Sequence, residues 1–303
     1  MQGKRFIAGD WGTSQLRLFL CSDDAVLDSR TGRGIGVLER SPRDEFAALT
    51  DDWFHDHRIS HAVLSGMVGA RNGWHETAYL SCPAAFDQLR TAFGRARHSD
   101  VRVLIVPGLS CTSPTGTPDV MRGEETQIFG ALRLQPELAR GRHVLALPGT
   151  HTKWAIVDSG RVMQFQTALT GELFALLRIQ STLLKTGTAG ANAQDVTSFD
   201  HGLDEARGGA LLHRLFQVRS RQLLEGMNAD QATSLLSGLL LGSDVDHAVQ
   251  ALHPKLVTLI CEPQLAAAYS RALQSRGIAS QRLDGNECAL AALRALATEA
   301  HSP

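Results

Sequence analysis

The sequence predicts an α/β protein made of two related domains around a central cleft. A strand–turn–strand unit, Phe6–Leu20 (FIAGDWGTSQLRLFL), recurs as Val144–Val157 (VLALPGTHTKWAIV). Gly149-Thr150 then aligns with Gly12-Thr13 at an offset of 149 − 12 = 137, nearly half of the 303 residues. A chain this long suggests about two domains, and one recurrence at half length points to a duplicated unit. Each copy is followed by a further short strand, near Val26–Thr31 and near Val162–Ala168.

The first copy opens on an apolar run that reads as a buried strand. Gly9 to Ser14 makes a tight turn, and Gln15–Leu20 returns as a second strand. Gly12 lets the backbone approach a ligand, and Thr13 and Ser14 add hydroxyls suited to phosphate oxygens. Asp10, at the mouth of the turn, suits Mg²⁺, which keeps much of its water shell beside phosphates. The second copy supplies Gly149, Thr150 and Thr152 as similar donors, with Lys153 as a cation for a phosphate oxygen. His151 reads first as a hydrogen-bonding turn residue and second as a proton acceptor. Period two sends Lys153 and Trp154 to opposite faces, so one of them faces the ligand.

Composition narrows the class. The chain is 43% hydrophobic and 20% charged, ordinary for globular domains with two cores. A net charge of −1 offers no footprint for nucleic acid or an anionic membrane. Five cysteines without a C-x-x-C pair argue against zinc and fit reduced thiols. No secretory pattern and no run of 18 apolar residues is present, so a cytoplasmic enzyme is expected.

The other elements follow in order. Gly32, Gly34 and Gly36 in TGRGIG mark a flexible connection. Ser41-Pro42, with Asp44 and Glu45, starts a helix that reaches about Asp56. Ala62–Ser65 reads as a buried strand, and its C-terminal loop belongs to the ligand crevice of an open sheet. In that loop Arg71 suits a carboxylate through its bidentate fork. Asn72 and Glu76 suit hydroxyls, and Trp74 suits the apolar face of a carbon chain. Pro83–Arg97 is expected as a helix with Phe86, Leu89 and Phe93 in one core stripe. Val101–Pro107 is a strand, followed by a polar Ser/Thr loop. A helix is expected from about Asp119 through Leu132, with Glu124 and Glu125 near its start. Helices are expected over Thr170–Leu183 and Asp204–Leu224, the latter with Leu211, Leu212, Leu215 and Phe216 inward. Thr186–Gln194 between them is a loop of small residues. Asn228 caps a further helix, whose Gly238 and Gly242 permit close approach of a neighbour or a nucleoside. Val257–Cys261 is a strand that turns at Glu262-Pro263 into a helix. A last strand at Gln281–Leu283 and a helix over Asn286–Ala300 close the chain.

Four stretches taken together, GDWGTSQLR, SGMVGARNGWHE, MRGEETQIFGAL and LPGTHTKW, carry a family resemblance. From Asp10 to the C-terminal helix the chain resembles the sugar kinase, actin and heat-shock ATPase superfamily. Within it, the chain is similar to the 2-dehydro-3-deoxygalactonokinases. The resemblance implies two ribonuclease-H-like (actin-like ATPase) domains around a central nucleotide cleft. The first would span 1–142, completed by 285–303, and the second 143–284. It implies ATP and Mg²⁺ as cofactors and a small sugar acid as substrate. Gly12, Thr13, Ser14, Gly149, Thr150, His151, Thr152 and Lys153 would hold the phosphates. Asp10 would hold the metal. Glu124 would be the general base, with Glu125 next, in the place where relatives carry G-D-Q-Q. Arg71, Asn72, Trp74 and Arg122 would contact the substrate. Glu262 would meet the ribose, where relatives carry a glycine pair. Two other readings stay open: a kinase of this fold for another sugar or polyol, and a nucleotide-binding regulator without turnover. A homo-oligomer is also left open.

Overall fold

The computed structural model describes residues 5–184 and 195–299. The expected loop over 186–194 therefore lies outside the described residues, as does the end of the last helix beyond 299. The chain divides into two compact units. The first holds the described residues up to Arg142, Ala155–Phe165 and those from Leu283 onward; the second holds His143–Trp154 and Gln166–Arg282.

In the first unit, β1 (Arg5–Trp11), β2 (Gln15–Cys21) and β3 (Val26–Arg33) form an antiparallel meander. Helix α1 (Pro42–Asp56) follows, its Ser41 side chain accepting the Asp44 N–H as an N-cap. Strand β4 (Ile59–Gly66) pairs parallel to β1. Strands β5 (Tyr79–Ser81) and β6 (Ala84–Ala85), helix α2 (Phe86–Thr91) and strands β7 (Gly94–His98) and β8 (Val101–Ile105) come next. The main sheet has the order β3-β2-β1-β4-β8-β7. Strands β9 (Gly108–Thr112) and β10 (Pro118–Met121) join β5 in a small sheet, and helix α3 (Glu124–Leu134) follows. One face of the main sheet buries Ile7, Leu16, Leu18, Leu64, Val103 and Ile105 with Phe46 and Trp53 of α1.

Strands β11 (Arg142–Leu147), β12 (Thr152–Asp158) and β13 (Arg161–Ala168) come next; of these, Arg142 and the residues within Ala155–Phe165 count with the first unit and the rest with the second. Helices α4 (Thr170–Gln180), α5 (Val196–Ala206), α6 (Leu211–Leu215), α7 (Gln217–Leu224) and α8 (Ala229–Leu252) follow, then β14 (Leu256–Ile260), α9 (Pro263–Gln274) and β15 (Ala279–Leu283). The final helix, α10 (Gly285–Glu299), packs on α3, β1 and β4 of the first unit.

The duplication is legible strand by strand. β1 and β11 start 142 − 5 = 137 residues apart, and β2 and β12 start 152 − 15 = 137 apart. β4 lies parallel to β1, and β14 lies parallel to β11. The strand order β3-β2-β1-β4-β8 is matched by β13-β12-β11-β14-β15. The same sequence pattern therefore yields the same local sheet twice.

Two helix expectations fail for identifiable reasons. Pro83–Arg97 is not one helix: α2 covers six residues, and the chain then becomes β7. In Gly94-Arg95-Ala96-Arg97-His98 the side chains alternate, Arg95 and Arg97 outward and His98 inward, so period two prevails over the aromatic stripe. Asp204–Leu224 is broken at Gly209 (φ 66°) and Ala210 (φ 54°) into α5, α6 and α7. Leu215 is then buried, but Leu212 and Phe216 are 83% and 62% exposed, outside the expected inward face. The helix expected from Asp119 starts at Glu124, because β10 occupies Pro118–Met121.

Glycines at helix crossings set the closest approaches. A Cβ on Gly238 would lie 2.1 Å from the Phe199 carbonyl, so this glycine serves the packing of α8 on α5. A Cβ on Gly130 would lie 1.7 Å from the Cys288 carbonyl, which brings α3 against α10. Gly130→Ala should therefore destabilise the protein by about 3 kcal/mol, the upper end for overpacking. Urea unfolding checks this, and an unchanged midpoint would contradict the packing.

Candidate active site

The turn between β1 and β2 closes with a Gly12 N–H donated to the Gln15 carbonyl at 2.9 Å. Thr13 and Ser14 are exposed at its tip. The glycine segment expected to be flexible instead supports this turn. The Ile35 and Gly36 N–H groups donate to the Gly12 and Thr13 carbonyls at 3.0 and 2.8 Å. A Cβ on Gly34 would collide with Thr13 O at 2.3 Å, so the close approach requires glycine there.

Asp10 is the last residue but one of β1, with its side chain 14% exposed, opposite Arg17 of β2. Arg17 lies 4.0 Å from the Asp10 carboxylate. The C-terminal end of β4 and the start of α3 converge on the same carboxylate. Gly66 (φ 90°) and Gly123 (φ 109°) both occupy the left-handed region. A Cβ on Gly66 would sit 3.4 Å from Asp10 Oδ1, and one on Gly123 3.4 Å from Gly66 Cα. Glu124 and Glu125 follow at once as the first residues of α3, where a helix N-terminus favours negative charge. The Arg122 N–H donates to Glu124 Oε2 at 3.1 Å, and the Gly123 N–H donates to Glu125 Oε2 at 2.7 Å. The Thr126 hydroxyl donates to Gly123 O at 2.6 Å and Ser65 Oγ at 3.4 Å.

Crowding of acids out of water sets the electrostatics. Burial pushes the Asp10 carboxyl up to about 6; Arg17 opposes this and Glu124 adds to it. Glu125 is fully buried, and burial with the Glu124 charge raises it to about 8. Its Oε1 has no hydrogen-bond partner among the described residues.

The expected substrate residues separate. Arg71 and Asn72 are exposed in the turn after β4, which is held by the Gly73 N–H on Ala70 O (2.8 Å). Trp74 is half-buried and packs on Phe46, ring centroids 5.4 Å apart, so it is a core contact. Arg122 is engaged within the fold. Its guanidinium donates to Thr77 O at 2.9 Å and to the Thr77 hydroxyl, and lies 4.4 Å over the Tyr79 ring.

In the second unit, Gly149, Thr150 and His151 are exposed at the turn from β11 to β12. His151 Nε2 lies 2.5 Å from Glu172 Oε2, and the Glu172 N–H donates to Thr150 O at 2.9 Å. Thr152 points inward, fully buried, with its hydroxyl 2.7 Å from Tyr269 OH. Lys153 is buried and donates to Thr167 Oγ1 at 2.9 Å, on the face opposite Trp154. Glu262 is exposed at the start of α9.

Sequence reasoning missed Arg17, Glu172, Tyr269 and Asp244. For Arg17 a signal existed, since the hairpin register places it across from Asp10. Asp244 had a weaker one, an acid that follows the apolar run of α8 and precedes Asp246 by two residues. Tyr269 and Glu172 had none.

The residues fit a divalent cation. Mg²⁺ takes oxygen ligands, commonly one or two carboxylates plus phosphates, and the mutual repulsion of Asp10 and Glu124 is what such a charge relieves. No group of three or more metal-binding side chains is found among the described residues.

Comparison with known proteins shows the family and the fold. Residues 10–296 match the model of the 2-keto-3-deoxy-galactonokinase family. The chain is 34% identical over 297 residues to the 2-dehydro-3-deoxygalactonokinase of Escherichia coli K12, covering 97% of each. A Sinorhizobium meliloti crystal structure that carries the same enzyme name provisionally superposes with a TM-score of 0.87 at 31% identity, covering 98% of this chain and 100% of that one. The activator of 2-hydroxyisocaproyl-CoA dehydratase from Clostridium difficile, solved with ADPNP, shares the fold alone: TM-score 0.52 and 13% identity over 98% and 96% of the two chains.

The raised Glu125 carboxyl has a stability consequence. Between about 4.5 and about 8 the folded state holds a proton that the unfolded state has lost. Stability from this group is therefore lost as pH rises through that window. Glu125→Gln removes the titration, so its stability relative to the parent should grow by a few kcal/mol, on the order of that shift, between pH 5 and pH 9. Urea titrations at the two pH values test this, and parallel profiles would contradict a buried, protonated Glu125.

Proposed function

Since the chain belongs to the 2-keto-3-deoxy-galactonokinase family, we propose that it transfers the γ-phosphoryl group of ATP to the 6-hydroxyl of 2-dehydro-3-deoxy-D-galactonate. The observation that carries the chemistry is the convergence of Asp10, Gly66, Gly123 and Glu124 at the ends of β1 and β4 and the start of α3.

Glu124 takes the proton of the attacking hydroxyl as the oxygen–phosphorus bond forms. The bond to the bridging oxygen breaks, and ADP leaves with that electron pair. Catalysis of this kind rests on positioning and electrostatics. Asp10 would hold Mg²⁺, which when bound would neutralise charge on the phosphates. Gly12, Thr13 and Ser14 offer donors to ATP from the first hairpin, and Gly149 and Thr150 from the second. Thr152 supports its turn from below. Arg71 and Asn72, exposed beyond β4, bind the carboxylate and a hydroxyl of the sugar acid. Glu262 meets the ribose. Arg122 shapes the loop through Thr77 and Tyr79 rather than meeting the carboxylate. The five cysteines are all free, in keeping with work in the cytoplasm, where ATP is supplied.

A coupled ADP-release assay over a panel of 2-keto-3-deoxy acids and hexoses tests the reading. Turnover should be greatest with 2-dehydro-3-deoxy-D-galactonate. Preference for a hexose or polyol would reassign the substrate, and ATP binding without turnover would favour a regulator. Glu124→Gln should lower kcat by about 10²–10⁴-fold, the usual worth of a general base, with ATP still bound by calorimetry. Near-parental kcat would remove Glu124 from the mechanism.

A further inference from the structure

One carboxylate lies behind the second hairpin and bonds side chains of β12, α4 and α9. Asp244 sits in the middle of α8, 9% exposed. Its Oδ1 accepts the Trp154 indole N–H at 2.8 Å. Its Oδ2 accepts the Thr170 hydroxyl at 2.8 Å and the Tyr269 hydroxyl at 2.7 Å. Trp154 lies on β12, Thr170 is the first residue of α4, and Tyr269 lies on α9.

Each arm leads to the exposed turn. Trp154 follows Thr152 and Lys153 on β12, directly after the Thr150-His151 turn. Tyr269 OH also bonds the Thr152 hydroxyl at 2.7 Å, giving a chain Thr152–Tyr269–Asp244. Thr170 fixes the start of α4, which lies directly under the turn. A Cβ on Gly171 would meet Gly149 O at 2.3 Å, and Glu172 bonds Thr150 O through its N–H and His151 through its side chain. An indole N–H donates and cannot accept. Two oxygens facing three side-chain donors therefore suit an ionised carboxylate as the common acceptor. Burial pushes this carboxyl up, and the three hydrogen bonds oppose that.

We propose that Asp244 is the positioning residue of the second hairpin, holding the Gly149–Thr150–His151 turn in the shape that receives the phosphates of ATP. The inference rests on the reading that this hairpin binds ATP. A residue that merely stabilised the unit would change unfolding without selecting between the two substrates.

The test compares Asp244→Asn, Tyr269→Phe and Thr150→Ala in the full chain, by calorimetry with ATP and by steady-state kinetics. In Asp244→Asn the new amide turns a donor toward a donor. Its ATP dissociation constant and KM for ATP should rise about tenfold, the equivalent of about 1.4 kcal/mol, while KM for the sugar acid stays within about twofold. Tyr269→Phe cuts the Thr152 arm alone and should give a smaller rise with the same selectivity. It also carries the test if Asp244→Asn fails to fold. Unchanged ATP affinity in Asp244→Asn, or in Tyr269→Phe should that one alone fold, overturns the proposal even if the melting temperature falls. Equal losses for both substrates overturn it too. Thr150→Ala separates the two levels. If it leaves ATP affinity unchanged, the hairpin reading fails; if it weakens ATP while Asp244→Asn does not, only the role of Asp244 fails.

Discussion

Carboxylates brought together out of water are the constraint around which the first unit is arranged. Desolvation acts against Asp10 and Glu125, the Glu124 charge adds to both, and Arg17 at 4.0 Å from Asp10 compensates there in part. Such a corner can be built only if the backbone comes very close, and Gly66 and Gly123 in left-handed conformations provide that. The crowding is tolerable because one acid carries a proton and the others face a place where cationic charge is expected. Strain and repulsion kept at one point, with well-packed strands around it, are the usual mark of a functional site.

The two hairpins show how far a duplicated backbone can diverge in its supports. The first is held by backbone bonds from Ile35 and Gly36, and by Glu45, 3% exposed, which accepts the Arg33 N–H at 3.2 Å and pairs with Arg40 at 2.6 Å. The second is held by Glu172 and by the Asp244–Tyr269–Thr152 chain. A turn requires that its polar groups be satisfied and its strands be paired. Which neighbour does this is open to drift, so the repeat survives in the strands and the G-T bend but not beneath them.

That difference explains what the sequence made legible. Strand runs and helix starts such as Ser41-Pro42 and Asn228 are local signals, and the structure places elements at each of them. The 137-residue offset stood out because both strands of the bend repeat in register. Errors arose where local signals conflicted: an aromatic stripe against alternating Arg95 and Arg97, and a leucine stripe interrupted by Gly208-Gly209. Within the candidate site, the two bends were readable as turns, and Asp10 and Glu124 were singled out because each borders one, in β1 and at the start of α3. Thr152 sits one residue past a turn, where the pleat reverses its direction. Tyr269 and Glu172 act across 117 and 21 residues of separation, and such partners leave no local pattern.

The structure also separates the two adjacent glutamates physically. A general base must be ionised and within reach of the hydroxyl it deprotonates. Glu125 is fully buried, and with its carboxyl raised to about 8 it carries a proton at neutral pH. Its bond to the Gly123 N–H serves the turn. Glu124 is half-buried, accepts the Arg122 N–H, and occupies the first position of α3, where the helix favours an anion. The two side chains are identical, so burial alone distinguishes them: Glu125 is enclosed, whereas Glu124 keeps partial access to water. Chemistry and burial thus favour the same assignment, with Glu124 as the proposed base and Glu125 as the neutral group that holds its turn.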